Sequence, residues 1–150
     1  MFRIIKWLIA LPLGAFIFFN AYVYGNIITY RAVAPNKTAF MAMRMRQFQS
    51  EGKDVALDYR WVPYDRISVN LKKALIASED AKFAEHGGFD WGGIQYAIKR
   101  NKQSGEVKAG GSTISQQLAK NLFLNESRSY IRKGEEAAIT AMMEDVTDKD

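Results

Sequence analysis

Positions 7–30 form a run of 24 residues without a charge, most of them apolar. As a helix at about 1.5 Å per residue this run reaches roughly 36 Å, enough to cross a hydrocarbon core of about 30 Å. It exceeds the roughly 7–15 residues of a signal-peptide core. The pattern therefore predicts a retained transmembrane anchor over 7–30, even though Ala32-Val33-Ala34 resembles a cleavage site. Downstream, Phe40, Met41, Met45 and Phe48 recur at helical spacing in 37–50, with Asn36 as cap and Arg44 and Arg46 alongside. That mixture suits a helix on a membrane surface, one packed on its own domain, or both. Val55, Leu57, Tyr59 and Trp61 alternate with polar or small residues, which reads as a short strand or extended piece ended by Pro63.

The remaining pattern is helical. Ser68 caps a helix with Leu71, Ala74, Leu75 and Ser78, broken by Gly87-Gly88. Asp90 caps another that runs to about Lys102 with Ile94, Ala97 and Ile98 inward, followed by a loop over 103–111. A helix from Ser112 or Thr113 carries Ile114, Leu118, Leu122 and Phe123. After a turn at 125–129 a last helix carries Ile131, Ile139, Met142, Met143 and Val146. The fold class is mainly α, one domain behind one anchor.

Composition narrows the chemistry. A hydrophobic fraction of 48% excludes disorder, and the absence of cysteine excludes disulfide scaffolds and thiolate metal sites. One histidine, His86, makes a histidine-based metal site or triad improbable. Reactive groups must be carboxylates, hydroxyls, amides and cations. Beyond position 30 there are 19 basic and 16 acidic residues, a mildly basic segment. Arg3 and Lys6 on one flank of the apolar run, and Arg31, Lys37, Arg44 and Arg46 on the other, do not choose an orientation.

Three stretches stand apart from ordinary helical protein. In Ser78-Glu79-Asp80-Ala81-Lys82-Phe83-Ala84-Glu85-His86-Gly87-Gly88-Phe89-Asp90, two carboxylates sit at a helix end, where one can serve as a general base or both form a solvated acidic end. Gly110-Gly111-Ser112-Thr113 leads into a helix whose first N–H groups would suit an anion such as a phosphate, with Gln116 and Lys120 four apart on one face. An ordinary capped helix with a polar outer face is the alternative. In Arg128-Ser129-Tyr130-Ile131-Arg132-Lys133-Gly134-Glu135-Glu136, the apolar arc of the wheel buries Glu135 and leaves Glu136 at the edge beside Arg132.

Taken together, SEDAKFAEHGGFD (78–90), GGSTISQQLAKNLFL (110–124) and RSYIRKGEEA (128–137) closely resemble the three leading motifs of the peptidoglycan glycosyltransferases, in order and spacing. The likeness is to the monofunctional, membrane-anchored biosynthetic transglycosylases and runs from about Trp61 to Asp145. It implies a lysozyme-like helical fold and a reaction that joins lipid II to a growing glycan with loss of undecaprenyl diphosphate. By motif position Glu79 and Glu136 resemble the catalytic acids, Glu79 as general base toward the acceptor 4-hydroxyl. Ser112, Gln116, Lys120 and Arg128 fall where the family contacts donor diphosphate and sugar. No organic cofactor is implied; a divalent cation such as Mg2+ beside Glu136 is compatible with the family. The implied partners are lipid II, the glycan strand and the bilayer, with cell wall synthesis and division proteins compatible and no nucleic acid.

The resemblance divides the chain into a cytoplasmic tail (1–6), an anchor (7–30), a membrane-proximal segment (31–65) and the first part of the catalytic domain (66–150), with 31–150 outside the inner membrane. The family continues with a Lys-containing segment and a Tyr-Leu-Asn run that have no counterpart before position 150. The domain is therefore expected to be C-terminally incomplete, Ile139, Met142 and Met143 partly exposed, and residues 1–150 inactive or nearly so. A membrane-anchored inactive module and a lysozyme-like hydrolase are the alternative readings.

Overall fold

The structure, a computed structural model, describes residues 2–127 and 129–149. The chain divides into two compact units, Met1–Ala34 and Pro35–Asp150. The first unit is helix α1, Phe2–Tyr30, whose Lys6–Tyr30 portion is long and apolar enough to cross a membrane. Trp7, Leu8, Ile9, Leu11, Leu13, Phe16, Ile17 and Phe18 are all more than half exposed. At about 1.5–3 kcal/mol for each such side chain withdrawn from water, lipid would stabilise this face by on the order of 10–20 kcal/mol. Asn20, Asn26 and Thr29 each turn one donor back to a carbonyl of the same helix, those of Phe16, Tyr22 and Gly25, at 2.8 Å. Each such bond lowers the cost of taking the side chain out of water.

The second unit contains α2 (Ala39–Ser50), α3 (Val69–Glu79), α4 (Trp91–Ser104), α5 (Ile114–Phe123) and α6 (Tyr130–Val146). No β-strand occurs among the described residues, and 53–63 is extended without a partner strand to make a ladder. The cap of α2 is Thr38, which accepts from the Met41 N–H at 3.1 Å, two residues beyond the expected Asn36. Asp90 caps α4 as expected, accepting from Gly93 N–H at 2.9 Å. Single 3-10 turns lie at Tyr64–Arg66 and Phe83–Glu85, so α3 ends at Glu79, well before Gly87-Gly88.

Helix α5 is central: α2 packs on it and so does α6. The buried apolar side chains of this unit are few, Ala97, Ala119, Leu124, Ile139 and Met143. They share the interior with Asp80, Thr113, Ser115, Gln116, Glu136 and Thr140. Because so many inward positions are polar, counting apolar residues misjudges several faces. Leu118, Leu71, Leu75, Ile98 and Ile131 are exposed where the pattern put them inward. In α6 the inward stripe is Glu136, Ile139, Thr140 and Met143, so Ile139 and Met143 are buried against expectation, and Met142 is half-buried.

The loop after α3 reaches α6 through Gly88. Its φ of +80° is a region open to glycine, and an added Cβ would stand 2.7 Å from Glu144 Cγ and 2.9 Å from Thr140 Cγ2. Gly88→Ala should therefore destabilise the second unit by about 2–4 kcal/mol, combining backbone strain with overpacking. Gly87→Ala, with nothing within 4 Å, should cost under about 1 kcal/mol. Denaturant unfolding of the whole chain in detergent checks this; equal losses for both would show that the close approach of Gly88 to α6 is not real.

Candidate active site

A cleft of about 210 Å³ opens between the end of α3 and the start of α5. Glu79, Asp80, Ala81 and Lys82 line one wall, Asp90 and Gly93 the floor beside α4, and 110–113 the other wall. Glu79 is the last residue of α3 and its side chain is exposed to the cleft. Its Oε2 accepts from Gln117 Nε2 of α5 at 2.8 Å. One carboxylate oxygen is thereby fixed while the carboxylate stays accessible, a geometry that suits a group accepting a proton from a bound hydroxyl.

The loop that forms the opposite wall is stapled to α4 by Asn101. Its amide donates to the Ala109 carbonyl at 2.9 Å, and its Oδ1 accepts from the N–H groups of Lys108 and Ala109 at 2.8 Å each. Gly111 then passes so close to α4 that a Cβ would lie 3.0 Å from Ile94 Cα. Thr113 completes the junction: its hydroxyl donates to the Gly88 carbonyl at 2.6 Å and accepts from Gln116 N–H at 3.2 Å. Gln116 answers with its Oε1 on Thr113 N–H at 3.1 Å, a reciprocal capping box.

Three N–H groups at the start of α5 have partners within the protein: Ile114 N–H donates to Asp80 Oδ2 at 3.1 Å, and those of Thr113 and Gln116 are used in the box. Asp80 thus places a carboxylate at this helix terminus. Gln116 is buried and its Oε1 serves the cap.

A second polar cluster joins the cleft wall to α6. Lys133 Nζ donates to Ser112 Oγ at 3.1 Å and also to Glu136 Oε1. Arg132 Nη1 donates to Glu136 Oε2 at 2.7 Å, and Arg132 Nε to the Ser127 carbonyl at 2.5 Å. Glu136 is buried and Glu135 only half-buried, the reverse of the wheel. The wheel failed because it counted Ile131 as inward, whereas Ile131 is exposed and Thr140 takes an inward place. Both Glu136 oxygens are bound to cations, and no group of three or more His, Cys, Asp or Glu among the described residues could hold a metal ion. A divalent cation at Glu136 would have to displace an existing ion pair, so the residues present do not fit one there.

The structure thus brings Glu79 and Ser112 to one cleft and ties Ser112 through Lys133 to Glu136. Lys120 is half-exposed, and its side chain makes no hydrogen bond or ion pair among the described residues. Arg128 lies outside the described residues. Sequence reasoning passed over Asn101, Gln117 and Lys133. Only Lys133 carried a local signal, three residues before Glu136, where a cation can reach an acid on its own helix.

The transglycosylase family model matches residues 44–150, beginning within α2 and upstream of the motif resemblance. The chain is 87% identical over 150 residues to a biosynthetic peptidoglycan transglycosylase of Neisseria meningitidis serogroup C (strain 053442), covering 100% of the chain and 64% of that relative. It is 85% identical over 149 residues to one of Neisseria gonorrhoeae (strain NCCP11945), covering 99% of the chain and 64% of the relative. The chain therefore spans a little under two thirds of the length of these curated relatives. A match over most of the chain places it in the transglycosylase family.

Proposed function

We propose that this chain carries the front part of a peptidoglycan transglycosylase that polymerises lipid II, and that Glu79 is its general base. The observation that supports this most is the Glu79 carboxylate held by Gln117 across a cleft from the Ser112 loop. In the proposed reaction Glu79 accepts the proton of the acceptor 4-hydroxyl as that oxygen attacks the donor anomeric carbon. The bond from that carbon to the diphosphate oxygen breaks with inversion, and undecaprenyl diphosphate leaves with the bonding pair. A diphosphate leaving group needs cations rather than a proton, and Lys120, Arg128 and the Ser112–Lys133 pair are the groups on this chain that would receive it.

The apolar helix α1 supports a single-pass anchor, which would hold the catalytic unit at the outer surface of the inner membrane, where its lipid-linked substrate lies. A two-carboxylate hydrolase is less well supported. Glu136 accepts from two cations and is built as an acceptor, so it is no candidate for the proton donor that glycoside hydrolysis requires.

The test compares residues 1–150 with the same sequence continued through the rest of the Neisseria meningitidis relative, both in detergent with lipid II. The extended chain should make glycan polymer, and residues 1–150 little or none. Glu79→Gln in the extended chain should lose about 10²–10⁴ in rate while lipid II still binds, since the amide cannot take the proton. Retention of more than about a tenth of the rate would reassign the base.

Lys120→Ala should raise the KM for lipid II roughly tenfold or more, the loss of one charge-assisted contact of about 1.5–3 kcal/mol. Its melting temperature should not change, because Lys120 holds no partner among the described residues. A melting shift with normal kinetics would make Lys120 a structural residue instead.

A further inference from the structure

We propose that His86, as the neutral imidazole with its proton on Nε2, is a positioning residue that acts on Glu79 through Asp80; this rests on the reading of Glu79 as base. Asp80 follows Glu79 directly and closes α3. Its side chain is 2% exposed, and it takes contacts from two other elements. Ile114 N–H of α5 donates to Oδ2 at 3.1 Å, while His86 Nε2 lies 2.9 Å from Oδ1 and 3.1 Å from Oδ2. Gln117, which holds Glu79, is one turn beyond Ile114. The last residue of α3 and its cap therefore both grip the first turn of α5, and His86 braces the cap from the third side.

The protonation state follows from the other ring nitrogen. The His86 side chain is 10% exposed, and Nδ1 is buried without a hydrogen-bond partner among the described residues. A proton on Nδ1 would create a buried donor with no acceptor, whereas a bare lone pair there forfeits less. The proton belongs on Nε2, where Asp80 accepts it. Asp80 already faces the positive end of α5, and Lys149 donates to the backbone carbonyls of His86 and Phe83 while pairing with Glu144 at 3.4 Å. The Phe83 ring meets the imidazole edge-on at 6.5 Å.

What the brace contributes is position. Glu79 itself is exposed and its carboxylate has Gln117 alone as a partner among the described residues, so its backbone must be set by its neighbour. A displacement of about 1 Å at a reacting group can cost on the order of a hundredfold in rate. Losing the His86 donor would free Asp80 to turn from Ile114 and would let the end of α3 shift.

Because His86 is the single histidine of the chain, ring 15N labelling of residues 1–150 in detergent micelles reports one imidazole. At pH 7 its long-range 1H–15N spectrum should show Nε2 protonated and Nδ1 bare. The Ile114 amide proton should resonate well downfield, as expected for a donor to carboxylate. His86→Gln, which keeps an N–H for Asp80, should retain that amide shift, and His86→Phe, which keeps ring bulk alone, should lose it. In the extended chain kcat should fall about 10–100-fold for the Phe variant, with KM for lipid II within about twofold, and the Gln variant should recover most of it. An imidazolium or an Nδ1–H ring at pH 7 would overturn the proposal, as would equal losses of kcat in both variants or an Ile114 amide indifferent to them. The ring and amide signals need no turnover. Full activity of Glu79→Gln would therefore fail the reading of Glu79 as base without disturbing them, and leave the brace to be judged by the spectra.

Discussion

The N-terminus of α5 is the constraint around which the second unit is built. Every helix begins with N–H groups that have no carbonyl of their own turn to meet, and burying such an end requires partners from elsewhere. Here three side chains supply them: Gln116 and Thr113 at the helix end itself, and Asp80 from the end of α3. Thr113 extends the junction by donating to the Gly88 carbonyl. Satisfying one helix end thus fixes the distance between the acid-bearing end of α3 and the Ser112 loop, which is the width of the cleft. A site whose width is set by obligatory hydrogen bonds is preorganised before any substrate arrives.

That constraint also explains why the interior is so polar. The inward positions of α5 go to Ser115, Gln116 and Ala119, and Ser115 donates to Glu144 of α6 at 2.5 Å. Helix α6 turns Glu136 and Thr140 inward in the same way. Such a core gives up some hydrophobic stabilisation, since each polar group must be matched before its burial is even neutral. What it gains is that the elements lock in one register, because a slipped helix would leave those groups unpaired.

The same feature decides what could be read from the sequence. The long apolar N-terminal helix, the Asp90 cap, a helix start at Ser112 or Thr113, the α-helical class and the three motifs were legible, because length, capping chemistry and short-range spacing are local properties. Which face of each helix turns inward was not. Leu118, Ile98 and Ile131 followed the apolar rule and proved exposed, while Gln116 and Glu136 broke it and proved buried. Hydrophobic periodicity presumes that burial is driven by apolar area, and here it is settled by polar pairs between residues such as Ser115 and Glu144, 29 positions apart, or Thr113 and Gly88, 25 apart. Nothing in a single sequence marks such pairs. The carboxylate that meets the start of α5, Asp80, was equally invisible, since it lies 34 residues upstream of Ile114.

The charge balance of the third motif follows from Glu136. Arg132 and Lys133 would otherwise be two long, mobile cations on one turn of α6, repelling one another. With Glu136 between them, each is held by a carboxylate oxygen, and Lys133 is turned so that its ammonium also meets Ser112 on the cleft wall. The acid therefore subtracts charge from the site but adds direction to what remains. A cation fixed in this way stabilises a developing negative charge more than a free one, because no reorientation is required. In this arrangement Glu136 sets the orientation of the lysine that meets Ser112 on the cleft wall.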